Sequence, residues 1–338
     1  MGSVILYSGI AAKIRAMRKN LLTEDDFNKL SQCGISKEKA EYLSTFKSYA
    51  KLFENIDVES LHRINVEQRL NLSMYQDFDK LYKFADMKQK QFMKLYFSHF
   101  GINMIKSCLR SINGGYVDKT AISMYKDFIQ RNYKFDIVAL SESRSLEEFI
   151  NVLKNTHYYT ILKYIYDHGA TDELDYEIAL DMKYFNSIWK KKDKVLGKKD
   201  ADIIAATLGS RIDMMNMNWI YRAKKYYNMD PHEIYAMLIP VRYRISAELM
   251  KKMVEAENLD AFMEAEKDNF YSARLRQGYE ETGNLGEAQQ MLLDEIYRRT
   301  AEKNPYSIAP INTYFFMKEE EINRIIRIIE STHYLEQT

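Results

Sequence analysis

The sequence predicts an all-α protein built from three similar helical units. Helix breakers are sparse: 338 residues hold 12 glycines and four prolines, and Pro231, Pro240, Pro305 and Pro310 all lie in the last third. Apolar positions recur at steps of three and four, the period of a helix, rather than alternating as in strands. In residues 211–230, Ile212, Met215, Trp219, Ala223 and Tyr226 make one apolar face, while Asn216, Asn218, Arg222 and Lys225 leave other faces polar. The third observation is repetition. Phe100, Ile105, Cys108, Leu109 and Arg110 match Ile212, Met217, Ile220, Tyr221 and Arg222, and Met317, Ile322, Ile325, Ile326 and Arg327 match them again. A near-constant period of this length means repeated supersecondary units.

A second element repeats beside the first. Leu22 to Tyr49, Phe135 to Tyr158 and Ile245 to Phe270 each read as helix, short turn, helix, then an aromatic residue. A weaker third element sets Glu67, Leu70 and Met74 against Glu177, Leu180 and Tyr184. The units divide as 1–116, 117–239 and 240–338.

Taken in order, residues 1–20 form a first amphipathic helix. Thr23 caps the next, with Glu24, Asp25 and Asp26 in its first turn, where acids suit the helix dipole. Gly34 ends it, and Ser36 starts another that carries Tyr42, Leu43 and Phe46. Glu59 to Ile112 holds two or three more, and Ser111-Ile-Asn-Gly-Gly115 is a stop. Ser145 to Glu148 reads as a capping box, and Thr171 to Asp175 opens the helix carrying Tyr176 to Trp189. Asp230-Pro-His-Glu233 combines a cap, proline at the first helical position and an acid three residues on, and Pro240 closes that short helix. Pro305 and Pro310 bracket an exposed loop before a last helix from Thr313 to Thr332.

Composition excludes several classes. Hydrophobic residues are 46% and charged residues 29%, a globular balance. Lys plus Arg number 49 against 48 Asp plus Glu, and a net charge of +1 supplies no overall field for nucleic acid. Two cysteines, Cys33 and Cys108, argue against a disulfide framework and read as idle or buried thiols. No stretch approaches the apolar length of a membrane span. The apolar opening Val4–Ala12 runs into Lys13-Ile-Arg-Ala-Met-Arg-Lys and lacks the form of a signal peptide, and Leu6 stands where myristoylation requires Ser or Thr.

No catalytic signature emerges. His62, His99, His157, His168, His232 and His333 are not at metal-ligand spacing. No paired-glycine phosphate loop precedes Gly197-Lys-Lys, and no nucleophile elbow is present. The expected set is therefore no catalytic residue, no metal and no cofactor. Glu319-Glu-Glu321 point in different directions on a helix and read as a solvated face or partner contact. Lys190 to Lys199 is the densest basic run; it reads as a solvated helix end, with contact to anionic headgroups or an acidic partner as the sharper reading. Arg110, Arg222 and Arg327 share one register and read as structural arginines, each paired with a carboxylate or capping carbonyls in its own unit, since repeated positions encode repeated packing. Three such units can close with pseudo-threefold shape or stack as an open solenoid.

Tyr7-Ser-Gly-Ile-Ala-Ala-Lys-Ile-Arg-Ala-Met-Arg-Lys-Asn-Leu-Leu resembles the opening of the C subunit of the V/A-type rotary ATPases, called the d subunit in the vacuolar enzymes. Ile212-Asp-Met-Met-Asn-Met-Asn-Trp-Ile-Tyr-Arg-Ala-Lys-Lys-Tyr-Tyr is similar to that family's Asp-Leu-x-Asn-Leu-x-x-Ile-x-Arg segment, and Leu238-Ile-Pro240 and Lys318-Glu-x-Glu-Ile fit its pattern. The first unit departs most: Gly101 stands where Asp213 would, and Asn103 and Met104 do not reproduce the Asp213 and Asn216 pair. The resemblance implies a funnel-shaped, pseudo-threefold, non-catalytic rotor subunit on the cytoplasmic side of a membrane. Such a subunit links the central shaft to the membrane rotor ring and transmits torque between ATP turnover and H⁺ or Na⁺ movement. The loops at Asn113–Gly115 and Pro305–Pro310 are expected at one end of the funnel. A free-standing helical-repeat scaffold for soluble partners is the alternative, and an all-α enzyme with a convergent polar pocket a third.

Overall fold

A computed structural model describes residues 2–34, 36–53, 63–112 and 119–336; the glycine turn expected at 113–115 lies outside them. The described residues form α-helices and no strand. By spatial contact the chain falls into two compact units, Met1–Leu180 with Tyr314–Thr338, and Asp181–Thr313. The three-unit division rests on sequence likeness rather than contact, and it cuts the chain elsewhere. The two cuts made by contact fall inside α11 (Glu173–Val195) and α18 (Ala309–Glu336).

The first unit carries α1 (Gly2–Arg18), α2 (Glu24–Gln32), α3 (Ser36–Ser44), α4 (Ala50–Phe53), α5 (Arg63–Tyr82) and α6 (Met87–Ile112). It continues through α7 (Lys119–Tyr133), α8 (Ile137–Glu142), α9 (Leu146–Val152) and α10 (Tyr159–Asp167). Its core is aromatic. Tyr75 meets Phe100 and Tyr125 edge-on at 5.4 and 5.1 Å, and Phe97 stands edge-on to Phe315 at 4.6 Å. Such geometries align positive ring edges with negative faces.

The second unit carries α12 (Lys198–Arg222), α13 (Pro231–Met237), α14 (Ala247–Glu255), α15 (Leu259–Glu266), α16 (Ser272–Thr282) and α17 (Leu285–Lys303). A π-helical turn, Ala223–Tyr227, ends α12, and Asn228 closes it with φ 47° in the left-handed region.

The repeated helix pair takes the same form three times: α2 and α3, α8 and α9, α14 and α15. After each pair comes a buried tyrosine, Tyr49, Tyr158 and Tyr271. In the third case the sequence pointed one residue early, because Phe270 is 67% exposed and Tyr271 is the buried ring. The start signals work as expected at two sites. Thr23 accepts from Asp26 N while Asp26 accepts from Thr23 N, and Asp230 and Glu233 exchange the same pair of bonds. At Ser145 half of the box shifts: Ser145 caps Glu148 N, but the Glu148 carboxylate takes the amide of Arg144.

Two expectations are corrected. Helix α12 does not bury one face only. Thr207, Ser210, Asp213 and Asn216 are buried along with its apolar residues, while Tyr226 beyond its end is 62% exposed. Neighbours surround the helix, so its polar residues are enclosed and each finds a partner inside. Nor is 305–310 an exposed loop: Ser307, Ile308 and Ala309 are buried and α18 begins at Ala309. Pro310 sits in its first turn, where the missing N–H has no intrahelical acceptor to lose.

Candidate functional site

The buried polar groups recur at matching places. On α12, Asp213 accepts from the backbone amides of Tyr243 (3.1 Å) and Arg244 (2.7 Å) and from the Tyr271 hydroxyl (2.9 Å). Burial pushes the Asp213 carboxyl above its ordinary value, although all these donors favour the charged form. One turn on, the Asn216 side chain donates to the Ile239 carbonyl at 3.0 Å and accepts from the Ile239 amide at 2.9 Å. Asn216 thereby pairs both backbone groups of Ile239 in the Leu238-Ile239-Pro240 bend. Two side chains of α12 thus hold the chain segment leading into the α14–α15 pair, and Tyr271 holds its far end.

Helix α18 does the equivalent work in the first unit. Aligned on the repeated arginines, Lys318 stands for Asp213 and Glu321 for Asn216. Glu321 accepts from the Leu22 amide, just ahead of the α2–α3 pair, and from the Tyr49 hydroxyl just after it. Lys318 donates to the Tyr49 oxygen at 2.7 Å and to Glu321 at 2.6 Å. Glu319, on another face, meets His99 Nε2 at 2.6 Å, while His99 Nδ1 faces the Tyr96 carbonyl at 2.7 Å. The solvated face expected of Glu319-Glu-Glu321 is thus overturned for Glu319 and Glu321, both of which are buried. Consecutive acids do diverge, but here helices lie on both sides.

Helix α6 lacks the polar pair. At Gly101 a Cβ would lie 2.8 Å from the Tyr133 ring, so that ring fills the space a carboxylate side chain would need. The Tyr133 hydroxyl donates to the Phe97 carbonyl. The Tyr158 hydroxyl, counterpart of those of Tyr49 and Tyr271, is buried with no hydrogen-bond partner among the described residues.

The three aligned arginines, Arg110, Arg222 and Arg327, are all exposed. Arg110 meets Glu177 at 2.6 Å and Glu173 at 3.6 Å, both on α11. Within the basic run, Lys190, Lys191, Lys194, Lys198 and Lys199 are exposed. Lys192 turns in, meeting Asp193 at 2.8 Å with its ammonium 4.6 Å from the Trp189 ring centre. Cys33 and Cys108 form no disulfide, and burial pushes the Cys108 thiol up to about 12. Among the described residues no three of His, Cys, Asp and Glu lie together as a metal ion would require.

Sequence reasoning missed two depressions on the second unit. One of about 620 Å³ lies between the start of α12 and the end of α17, with Lys198, Lys199 and Lys303 on its rim. The other, of about 310 Å³, is lined by Ser210, Tyr243, Arg244, Phe270, Tyr271 and Arg274, with Ala206, Ala273 and Ile296. No spacing announces the second, since its residues come from four segments far apart in sequence.

Fold and buried geometry define a repetitive helical body in which polar side chains of long helices fasten short helix pairs. The chain belongs to the ATP synthase (C/AC39) subunit family, which it matches over residues 10–336. It is similar to the A-type ATP synthase C subunit of Methanococcoides burtonii, at 23% identity over 97% of this chain and 90% of that protein. The C subunit of the A-type ATP synthase of Methanocaldococcus jannaschii is 22% identical over 96% of this chain and 82% of its own length, and that of Methanosarcina acetivorans 24% over 96% and 88%. Among the described residues no helix is long and apolar enough to cross a membrane.

Proposed function

We propose that the chain is a non-catalytic rotor subunit of an A/V-type ATPase or ATP synthase. In this reading it is a pseudo-threefold funnel, peripheral on the cytoplasmic side. It joins the central shaft to the membrane rotor ring and transmits torque between ATP turnover and H⁺ or Na⁺ movement. The observation that carries the reading is the family match across residues 10–336, nearly the whole chain. Helices α11, α12 and α18 support it physically. At 23, 25 and 28 residues they extend about 35–42 Å at 1.5 Å per residue. The buried polar anchors of α12 and α18 resist sliding, because slippage would strand hydrogen-bonding groups away from water. Arg110, Arg222 and Arg327 are proposed as the equivalent structural positions of the three repeats.

The test is recovery of the tagged full chain from native membranes, with mass identification of what accompanies it. Ring and shaft subunits should arrive together. Recovery of soluble proteins alone would return the scaffold reading to first place. Loss of the gene should also uncouple ATP hydrolysis from ion pumping in membrane vesicles, and intact pumping would sink the rotor assignment.

A further inference from the structure

We propose that the 310 Å³ cavity at Arg244 and Arg274 binds a carboxylate carried on a short apolar stem, the chemistry of an acidic side chain on a partner protein. The first ground is Arg244. Its guanidinium carbon lies 4.8 Å from the ring centres of both Tyr243 and Phe270. Two aromatic contacts restrain the exposed guanidinium, and the Arg244 backbone amide is anchored on Asp213 at 2.7 Å. The guanidinium itself makes no hydrogen bond or ion pair among the described residues. Other arginines of this chain hold carboxylates: Arg324 takes Glu24 with two bonds of 2.6 Å, and Arg298 takes Asp294. Arg244 is held by two rings and has no acid partner among the described residues.

The second ground is the rest of the wall. Arg274 adds a second guanidinium, only 3.7 Å from Glu295, whose carboxylate is held more closely by Arg299 at 2.9 Å. Arg274 lies in the first turn of α16, whose N-cap residue Tyr271 gives no side-chain cap, so the helix end adds positive potential. Asp213 lies behind Tyr271 with its oxygens on the amides of Tyr243 and Arg244 and on the Tyr271 hydroxyl, so its donors screen it from the cavity. Apart from Ser210, whose hydroxyl donates to the Ala206 carbonyl at 2.8 Å, and the two tyrosines, the remaining lining is apolar: Ala206, Ala273, Ile296 and the exposed Phe270 ring. A bare inorganic anion leaves that surface unused, whereas the methylenes of a glutamate cover it. Small-molecule sites run from about 300 to 1,000 Å³, so this cavity is at the low end and suits an anchoring side chain better than a cofactor. Stacked arginines beside exposed aromatics are the usual composition of interface hot spots.

The cavity's chemistry does not depend on the rotor assignment and survives its failure. The test uses the full chain with isotopically labelled isoleucine methyl groups, reading the Ile296 signal during titration with glutarate, the neutral diamide glutaramide, or inorganic phosphate. Glutarate should shift Ile296 saturably, glutaramide should not, and phosphate should bind more weakly. Arg244→Gln should weaken glutarate about tenfold or more, from loss of a charge-assisted bidentate contact. Arg244→Lys should restore only part of it, since a point charge lacks the fork. Arg298→Gln, away from the cavity, should leave binding unchanged. A silent Ile296, an equal response to glutaramide, an unaltered affinity in Arg244→Gln, or phosphate binding as tightly as glutarate would each overturn the proposal. The wild-type titrations decide the matter even if Arg244→Gln fails to fold.

Discussion

Lys318 and Glu321 form an ion pair at 2.6 Å one turn apart on α18, with side chains 0% and 4% exposed. Tyr49 lies against both, its hydroxyl donating to Glu321 and accepting from Lys318, its ring 4.2 Å from the ammonium. The pair closes the gap between the last helix and the segment that opens the chain.

Lys318→Met should destabilise the protein by about 3–5 kcal/mol, because it leaves a buried carboxylate with its cation gone. Glu24→Gln should cost less than about 1 kcal/mol, since the Glu24–Arg324 pair is exposed, with the Glu24 side chain at 77%. Urea unfolding of the two variants checks the contrast, and equal losses would mean that the buried pair is not a structural anchor.

The three buried tyrosines should separate. Tyr49→Phe removes a hydroxyl bonded to charged groups and should cost about 1.5–3 kcal/mol, and Tyr271→Phe a similar amount for its bond to Asp213. Tyr158→Phe removes a hydroxyl with no partner among the described residues and should be neutral or stabilising. Thermal melts would show the ranking; a large loss from Tyr158→Phe would point to a bond that the geometry lacks.

Gly101→Ala should cost about 1–3 kcal/mol by forcing its methyl group into the Tyr133 ring, 2.8 Å away. Tyr133→Leu in the same chain should recover part of that loss. The double-mutant cycle measures the coupling, and simple additivity would show that the two positions do not touch.

Asp213 and Glu266 give an unusual pH dependence. Burial raises both above their ordinary values of 3.8 and 4.5, so the folded state holds these protons to higher pH than the unfolded chain does. Between the unfolded and folded values the native state binds more protons, and stability falls as pH rises. Below the unfolded values the penalty is absent, and above the folded values it is complete. Asp213→Asn and Glu266→Gln should each flatten the slope of unfolding free energy in the window just above pH 3.8 and 4.5 respectively. An unchanged slope in either variant would remove that group as its source.

The helix starts at Thr23, Ser145 and Asp230 were legible because caps are local signals; of the tyrosines buried after the repeated pairs, Tyr49 and Tyr158 were singled out, whereas the third was read one residue early, at Phe270 instead of Tyr271. The same local logic failed on α12 and at Glu319 to Glu321. A polar residue on a helix reads as solvent-facing unless its partner is known, and the partners here are distant: Tyr271 for Asp213 and Tyr49 for Glu321. Gly101 was visible as a departure from the repeat, but not that Tyr133 occupies the vacated space. The Arg244 cavity was illegible for the same reason, since Arg244 and Phe270 are ordinary residues until the fold stacks them. The three arginines were singled out by register, and register alone does not say what an exposed guanidinium meets.

Glu321 reaches back 272 residues to Tyr49 and 299 to Leu22. During synthesis at about 5–20 residues per second, Tyr49 leaves the ribosome roughly 15–55 s before the residue that completes its site. The amino-terminal helices must pass that interval with Tyr49 and the Leu22 amide unpaired. A chain cut short before α18 therefore loses more than its last helix. Its first fifty residues remain without the Glu321 anchor, more open to chaperones and proteases than in the full chain.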